Sequence, residues 1–339
     1  MKKIFIIIFI SAGTGILAFF SYFLAEMLFI YAKKPLNTDK REKIIVVYRG
    51  QSFEAAAERM YETGIIDNPF KLIWFARLKG YDKKVKAGEY GLSSAMSPAE
   101  ILEIMVSGKI RICKLTVPEG YSMYQIADLI ASEGFTTKAD FLKAARDSAF
   151  AHGQGIDAET FEGYLFPDTY YFSKNIQSKQ IISSMVKHFR SVFTPEWKNQ
   201  TNALGFSVHE IVTLASIIEK ETGETSERPL ISSVFHNRLK KKMRLESDPT
   251  VIYGINNFDG NLKRIHLDTK TLYNTYKIKG LPPGPIANPG RESLEAAVFP
   301  LNTDFLFFVS KGNGTHEFTT NLKEHNTAVK KYQLKQLKR

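Results

Sequence analysis

Cysteine is nearly absent from this 339-residue chain, where Cys113 stands alone. An intramolecular disulfide is excluded, and redox chemistry says little about the compartment. Acids are in deficit, 35 against 46 Lys and Arg, for a formal net charge of +11. That balance favours polyanionic surroundings: nucleic acid, anionic lipid or an acidic polymer. Several catalytic signatures are missing too. Seven histidines are present, yet there is no H-E-x-x-H and no paired metal spacing. His236, His266, His316 and His325 are scattered, and each alone reads as a hydrogen-bonded structural residue. No G-x-S-x-G elbow, P-loop or dinucleotide fingerprint appears. These absences leave carboxylate chemistry on a sugar polymer as the leading enzymatic option. Disorder is excluded by a hydrophobic fraction of 44% and an aromatic fraction of 12%. The length admits two or three domains.

Charge is also absent from Ile4 to Leu24, directly after Lys2 and Lys3. About 20 apolar residues cross a bilayer as a helix. A cleaved signal has a shorter apolar region and a small-residue cleavage site, and "SAG" at Ser11–Gly13 falls mid-run. The stretch reads as a single-pass anchor, with Lys2 and Lys3 cytoplasmic and everything after about residue 30 outside. There the plausible polyanions are lipid head groups and cell-wall polymer, with no nucleic acid.

The polar run 33–43 reads as a linker. Ile44–Tyr48 is strand-like, Gly50 supplies a turn, and Ser52 caps a helix. The pattern returns 70 residues on: Val47, Gly50, Ser52, Ala57 and Gly64 match Val117, Gly120, Ser122, Ala127 and Gly134. Five matches at one offset suggest two related strand–helix units. Between them lie a strand at Glu89–Leu92 and a helix from Pro98 to about Gly108. From about Thr160 come an aromatic stretch, "FEGYLFPDTYYF", and helices at Ser178–Phe193, after Ser207, and from Pro229. Ser207 and Glu210 form a capping box. "SDPTVIYG" reads as a turn, "KGLPPGPIANPG" as a stiff loop, "DFLFFVSKG" as a strand, and "HEFTTNLKEHNTAVKKY" ends in a helix.

The stretch "LASIIEKETGETSER" sets four glutamates behind an apolar run. At about 100° per residue, Ile211, Leu214, Ala215 and Ile218 form one apolar stripe, with Lys220 opposite. Glu219 and Glu221 flank it, about 80° and about 280° round. Either could sit half-desolvated at a cleft lip, where a carboxyl is raised enough to act as an acid near neutrality. Periodicity does not choose between them, and a solvated helix end fits as well. Tyr164, Phe166, Tyr170 and Tyr171 offer stacking faces to sugar rings, though a core strand would look the same. "RLKKKMR" is a solvated helix face, or a contact for carboxylates on a wall strand.

The combination of "EGYLFPDTY", "LASIIEKET", "SER", "ISSVFHNRLKKKMRLESDPTVIYG", "LPPGPIANPG" and "AAVFP" resembles the YceG-like family of endolytic murein transglycosylases, along nearly the whole chain. The resemblance implies an α+β fold: an anchor (1–32), a linker (33–43), a LysM-like subdomain (44–110), a second strand–helix unit or connector (111–158) and a catalytic domain (159–339). It implies that Glu219, first glutamate of E-K-E-T, is the catalytic acid. The activity implied is cleavage between N-acetylmuramic acid and N-acetylglucosamine in nascent peptidoglycan, with a 1,6-anhydro end and no metal or organic cofactor. Such a carbon–oxygen lyase would sit on the bacterial cytoplasmic (inner) membrane and terminate strand elongation beside peptidoglycan synthases. Asp248, Thr250, Tyr253 and Asn288 are nominated as cleft residues, with Glu162 and Tyr164. Asp-Pro and Asn-Pro are also ordinary turn starters. Two other readings stand: a non-catalytic wall-binding scaffold, and a hydrolase pairing Glu219 with Asp248.

Overall fold

A computed structural model describes the backbone over residues 2–174, 176–255 and 258–334, and side chains between residues 14 and 333. The chain is mixed α+β and divides into two compact units.

The first unit spans Met1–Cys113 with Tyr171–Asn175. Helix α1 (Lys2–Ala25) runs on through a π turn (Glu26–Ile30) and a 3₁₀ turn (Tyr31–Lys33). Then come β1 (Lys43–Val47), α2 (Phe53–Glu62), α3 (Pro69–Lys79), β2 (Gly88–Leu92) and α4 (Pro98–Ser107). Strands β1 and β2 pair antiparallel, with Ile45 opposite Tyr90. The expected cap forms at Ser52, whose hydroxyl accepts from the Ala55 N–H, and an unforeseen capping box of Ser97 with Glu100 opens α4. Helix α3 was not apparent in the sequence, because "PFKLIWFARLK" spreads its apolar residues to all sides among three cations and shows no helical period. Its buried side chains Leu72 and Phe75 join Ile45, Met60, Tyr90, Ile101 and Met105 in one core.

The second unit spans Lys114–Tyr170 and Ile176–Arg339. Strand β3 (Cys113–Thr116) leads into α5 (Met123–Ser132), α6 (Lys138–Ala145) and α7 (Ser148–Gly153), then β4 (Thr169–Phe172), which pairs with β3. Helices α8 (Ser178–Val192), α9 (Pro195–Ala203), α10 (Val208–Glu221) and α11 (Arg228–Lys240) follow. Short helices α12 (Asp248–Tyr253) and α13 (Arg264–Asp268) precede α14 (Arg291–Val298). The chain closes with an antiparallel pair, β5 (Phe307–Ser310) and β6 (His316–Thr319), and α15 (Leu322–Val329). "SDPTVIYG" therefore contains a helix rather than a turn alone, because Pro249 occupies its first turn, where a missing N–H costs nothing.

Helix α10 corrects the one-stripe expectation. Every residue from Ile211 to Ile218 is buried, since α9, α11, α12 and α14 pack around it. A helix apolar on all sides is a central helix. Its two polar residues need no outside partner: Thr213 donates to the His209 carbonyl at 2.8 Å and Ser216 to Thr213 at 2.7 Å. The Ser207–Glu210 box caps it as expected. Glu219 and Glu221 are thereby carried to the end of a fixed rod.

Candidate active site

Three chain segments meet at the C-terminal end of α10: Pro118–Tyr121, Ile286–Gly290 and the start of α11. The first two are laced together. Gly120 donates to the Asn288 carbonyl, and Asn288 donates back to Tyr121 from its backbone, all at 2.9 Å. Its side-chain amide donates to the same Tyr121 carbonyl at 2.9 Å. The Ile286 N–H reaches the Ser216 hydroxyl at 3.0 Å, pinning the proline-rich loop to the buried helix. Gly120 has φ +71°, a left-handed value that suits glycine.

Glu219 lies inside this junction, its side chain only 6% exposed. One carboxylate oxygen accepts from the Gly290 N–H at 3.0 Å, the other from Arg228 Nη2 at 3.3 Å. Arg228 is 8% exposed and also lies 3.6 Å from Glu119 and 3.6 Å from Glu292. Three carboxyls thus share one guanidinium. The Glu119 carboxyl is raised above the usual range, first by burial, then by the charges of Glu219 and Glu292, against the pull of Arg228. A Cβ on Gly290 would come within 2.0 Å of that carboxyl, so any larger residue there would displace the Glu119 side chain.

Glu221 faces a different environment. The Ser247 hydroxyl donates to it, and burial raises its carboxyl to about 7, helped by Asp248 and opposed by Arg238. It is locked between elements of the fold. Glu227 closes a 3₁₀ turn and holds His316 at 2.7 Å. His236 and His209 bond the Ala297 and Pro283 carbonyls.

A cavity of about 710 Å³ opens beside Glu219, lined by Gly120, Ser122, Tyr124, Gln125, Arg146, Lys220, Pro249, Ile252, Tyr253, Ile255 and Ile286. Gly120 on its wall comes within 3.5 Å of the Glu219 Cγ position, measured from an added Cβ. Lys220 Nζ caps the Gly120 carbonyl at 3.3 Å. Tyr124 and Tyr253 stand 6.4 Å apart on this wall, with the Arg146 guanidinium 5.0 Å over the Tyr124 ring. A larger cavity, about 960 Å³, lies elsewhere, around Phe206, His209, Glu210 and His236. Its one carboxylate, Glu210, is committed to the capping box at the opposite end of α10. Nine residues at 1.5 Å rise put that end about 14 Å from Glu219. The smaller cavity is therefore the site candidate.

The nominated cleft residues divide. Tyr253 and Pro249 line the cavity, while Asp248, at the start of α12, accepts from Tyr276 at 2.7 Å. Glu162, Tyr164, Thr250 and Asn288 are buried behind the cavity wall. Tyr164 bonds His209 at 3.0 Å, and Thr250 donates to the Ser247 carbonyl at 2.6 Å. Of the four aromatics considered for stacking, only Tyr171 is exposed. Glu119, Arg228, Gly290 and Tyr124 were missed. The only signal was that "PEG" and "SER" set charged residues beside turns.

Glu162 acts as a strut behind the site. It accepts from Met123 N–H at 2.9 Å, from Asn288 Nδ2 at 2.9 Å and from the Tyr253 hydroxyl at 3.0 Å. Burial still wins over these bonds and raises its carboxyl to about 7. A folded-state value above the ordinary 4.5 means that the folded chain takes up a proton between about 4.5 and about 7. The associated stability is complete below that window and is lost as pH rises through it. We expect melting temperature to fall between pH about 5 and about 7.5, with Glu162 contributing a slope of up to about 1.4 kcal/mol per pH unit. Glu162→Gln should flatten that slope, leaving the part due to Glu221. An unchanged slope in calorimetric melts would remove Glu162 from this role.

Comparison with known proteins matches residues 45–331 to the YceG-like family. An endolytic murein transglycosylase of Bacillus subtilis (strain 168) is 36% identical over 324 residues, covering 90% of this chain and 89% of its own. An endolytic murein transglycosylase of Streptococcus pneumoniae (strain D39) is 26% identical over 329 residues. The alignment covers 87% of this chain but 59% of that longer relative. The crystal structure of a yceG-like protein, lmo1499, from Listeria monocytogenes superposes with a TM-score of 0.59 at 34% identity, over 85% of this chain and 99% of that one.

Proposed function

Since this chain belongs to the YceG-like family, we propose that it is an endolytic murein transglycosylase in which Glu219 is the single acid–base carboxyl. The observation that carries the reading is the Glu219 carboxyl itself, almost removed from water, fixed by Gly290 and Arg228, and set behind Gly120 and Lys220, which line a cavity wide enough for sugar rings. Glycoside hydrolysis generally uses two carboxyls, one to activate water. A lytic transglycosylase uses no water. Protonated Glu219 gives its proton to the oxygen joining N-acetylmuramic acid to N-acetylglucosamine. The muramic C6 hydroxyl attacks its own C1 as that bond breaks, and the Glu219 carboxylate takes the hydroxyl proton. The ring closes to a 1,6-anhydro end and the acid is regenerated. The nucleophile is intramolecular, so most of its entropic cost is already met.

Tyr124 and Tyr253 supply ring faces for sugars along the cavity, with Asp248 next to its lining residue Pro249. Glu162, Asn288 and Thr250 hold the wall behind them. Unit 1, with α2 and α3 between paired β1 and β2, is proposed as the LysM-like glycan contact. The apolar stretch Thr14–Lys33, with mean hydropathy 1.8, supports a single span that keeps the site outside the cytoplasmic membrane, where strands are made. Digestion of purified murein followed by mass spectrometry tests the reaction. Anhydro ends, one water lighter than reducing ends, are expected. Reducing ends would mark a hydrolase, and wall binding without product would mark a scaffold.

A further inference from the structure

Helix α3 carries, beside its cations Lys71, Arg77 and Lys79, an apolar outer stripe that a surface helix in water does not need. Its inner side chains, Leu72 and Phe75 among them, are buried in the core of unit 1. Its outer side carries Phe70, Trp74 and Leu78 at i, i+4 and i+8, exposed by 59%, 38% and 39%. This stripe continues onto α1. The Trp74 ring meets Phe23 edge-on at 6.5 Å, and Phe70 lies 6.0 Å from Trp74. Phe23 falls in the last turn of the uncharged run, and Phe19 and Phe20 on the same helix are exposed.

The junction is rigid rather than a loose tether. Met27, Tyr31 and Ala32, just past the apolar run, are buried in the core of unit 1. Lys71 pairs with Glu26 at 3.1 Å and lies 5.6 Å over the Tyr31 ring, and Tyr31 packs edge-on against Phe75. Cleavage near residue 25 would strip Phe23 from Trp74 and cut next to core residues, which favours retention of α1. With α1 across a bilayer, the Phe23–Trp74 contact places the α3 stripe at head-group depth. Tryptophan is the side chain enriched at that depth. Lys33, Lys34 and Lys79 of the same unit are exposed, and each cation near an anionic leaflet contributes about 1 kcal/mol.

We propose that α3 is a membrane-interface helix, and that the partner of its Phe70–Trp74–Leu78 face is the surface of an anionic phospholipid bilayer. The inference rests on the anchor reading of α1 and is independent of the chemistry at Glu219. It holds unit 1 on the leaflet from which α1 emerges.

The test uses the full chain in phosphatidylglycerol-containing vesicles. The two tryptophans are Trp74 and Trp197, so a Trp197→Phe background leaves Trp74 as the sole reporter. Lipids with a quencher near the head group should quench Trp74 more strongly than lipids labelled deep in the chains, and aqueous iodide should quench it least. In the same background Phe70→Glu with Leu78→Glu should cut shallow quenching by about half or more, while α1 keeps the protein resistant to carbonate extraction. Quenching of Trp74 by iodide but by neither lipid label overturns the proposal, as does equal shallow quenching with and without the two glutamates. Extraction of the unsubstituted chain by carbonate removes the anchor reading and this proposal with it, and leaves the transglycosylase reading standing.

Discussion

Glu219→Gln is expected to lower the rate of anhydro-end formation by about 10²–10⁴-fold, the range a positioned general acid supplies. The upper half of that range corresponds to about 4–5 kcal/mol of transition-state stabilisation. Glutamine has nearly the same shape but no proton to give. It also fits imperfectly. Both carboxylate oxygens accept, one from Gly290 and one from Arg228. An amide has one oxygen, so in either orientation its NH₂ meets a donor. That mismatch costs about 1–3 kcal/mol of stability, and the variant must be melted alongside the wild type. Loss of product in a chain that remains folded at the assay temperature assigns the defect to chemistry. Glu221→Gln is the comparator: Glu221 is bonded to Ser247 inside the fold, so its loss should act on melting far more than on product. Anhydro ends formed at the wild-type rate by folded Glu219→Gln would falsify the proposed role.

How far these residues could be read from sequence depended on how local their causes are. Caps are local, so Ser52, Ser122 and Ser207 were readable from short spacings, and each accepts from the expected N–H. The 70-residue echo was also readable. Both copies form strand, turn and helix, with Gly50 and Gly120 at φ +81° and +71°. Burial of α10 on every side was not, because α14, which covers it, lies some 80 residues further on. The same limit hid the acid's surroundings. Periodicity left Glu219 and Glu221 equivalent, and both leave water. They differ only through partners contributed from afar: Gly290, 71 positions away, for one, and Ser247, 26 away, for the other. Asn288 looked like a turn starter, and its bonds to Tyr121 and Glu162 cross 167 and 126 positions.

The second large effect is expected from Arg228→Met. This guanidinium is the only cation among the contacts of Glu119, Glu219 and Glu292 described above, and removing it leaves Glu219 buried without a counter-charge. Breaking a buried pair by deleting one partner costs about 3–5 kcal/mol. Glu119 and Glu292 are about half exposed, so their share is screened and small, and the loss should come mainly from Glu219. The pH dependence follows from the sign of the change. Without Arg228, which now opposes the rise of the Glu119 carboxyl, that group holds its proton more tightly still, so the variant binds more protons than its unfolded chain and loses stability as pH rises. The melting gap between variant and wild type should therefore widen from pH about 5 to about 8. Adding Glu219→Gln to Arg228→Met removes the stranded charge, and the double variant should recover about 1–3 kcal/mol relative to simple addition. That non-additivity separates charge compensation from packing, since methionine fills much of the arginine stem in both backgrounds. If Arg228→Met melts with the wild type at every pH, or if the two changes simply add, the guanidinium does not hold the acid in place, and the geometry around Glu219 must be maintained by Gly290 and the laced loops alone.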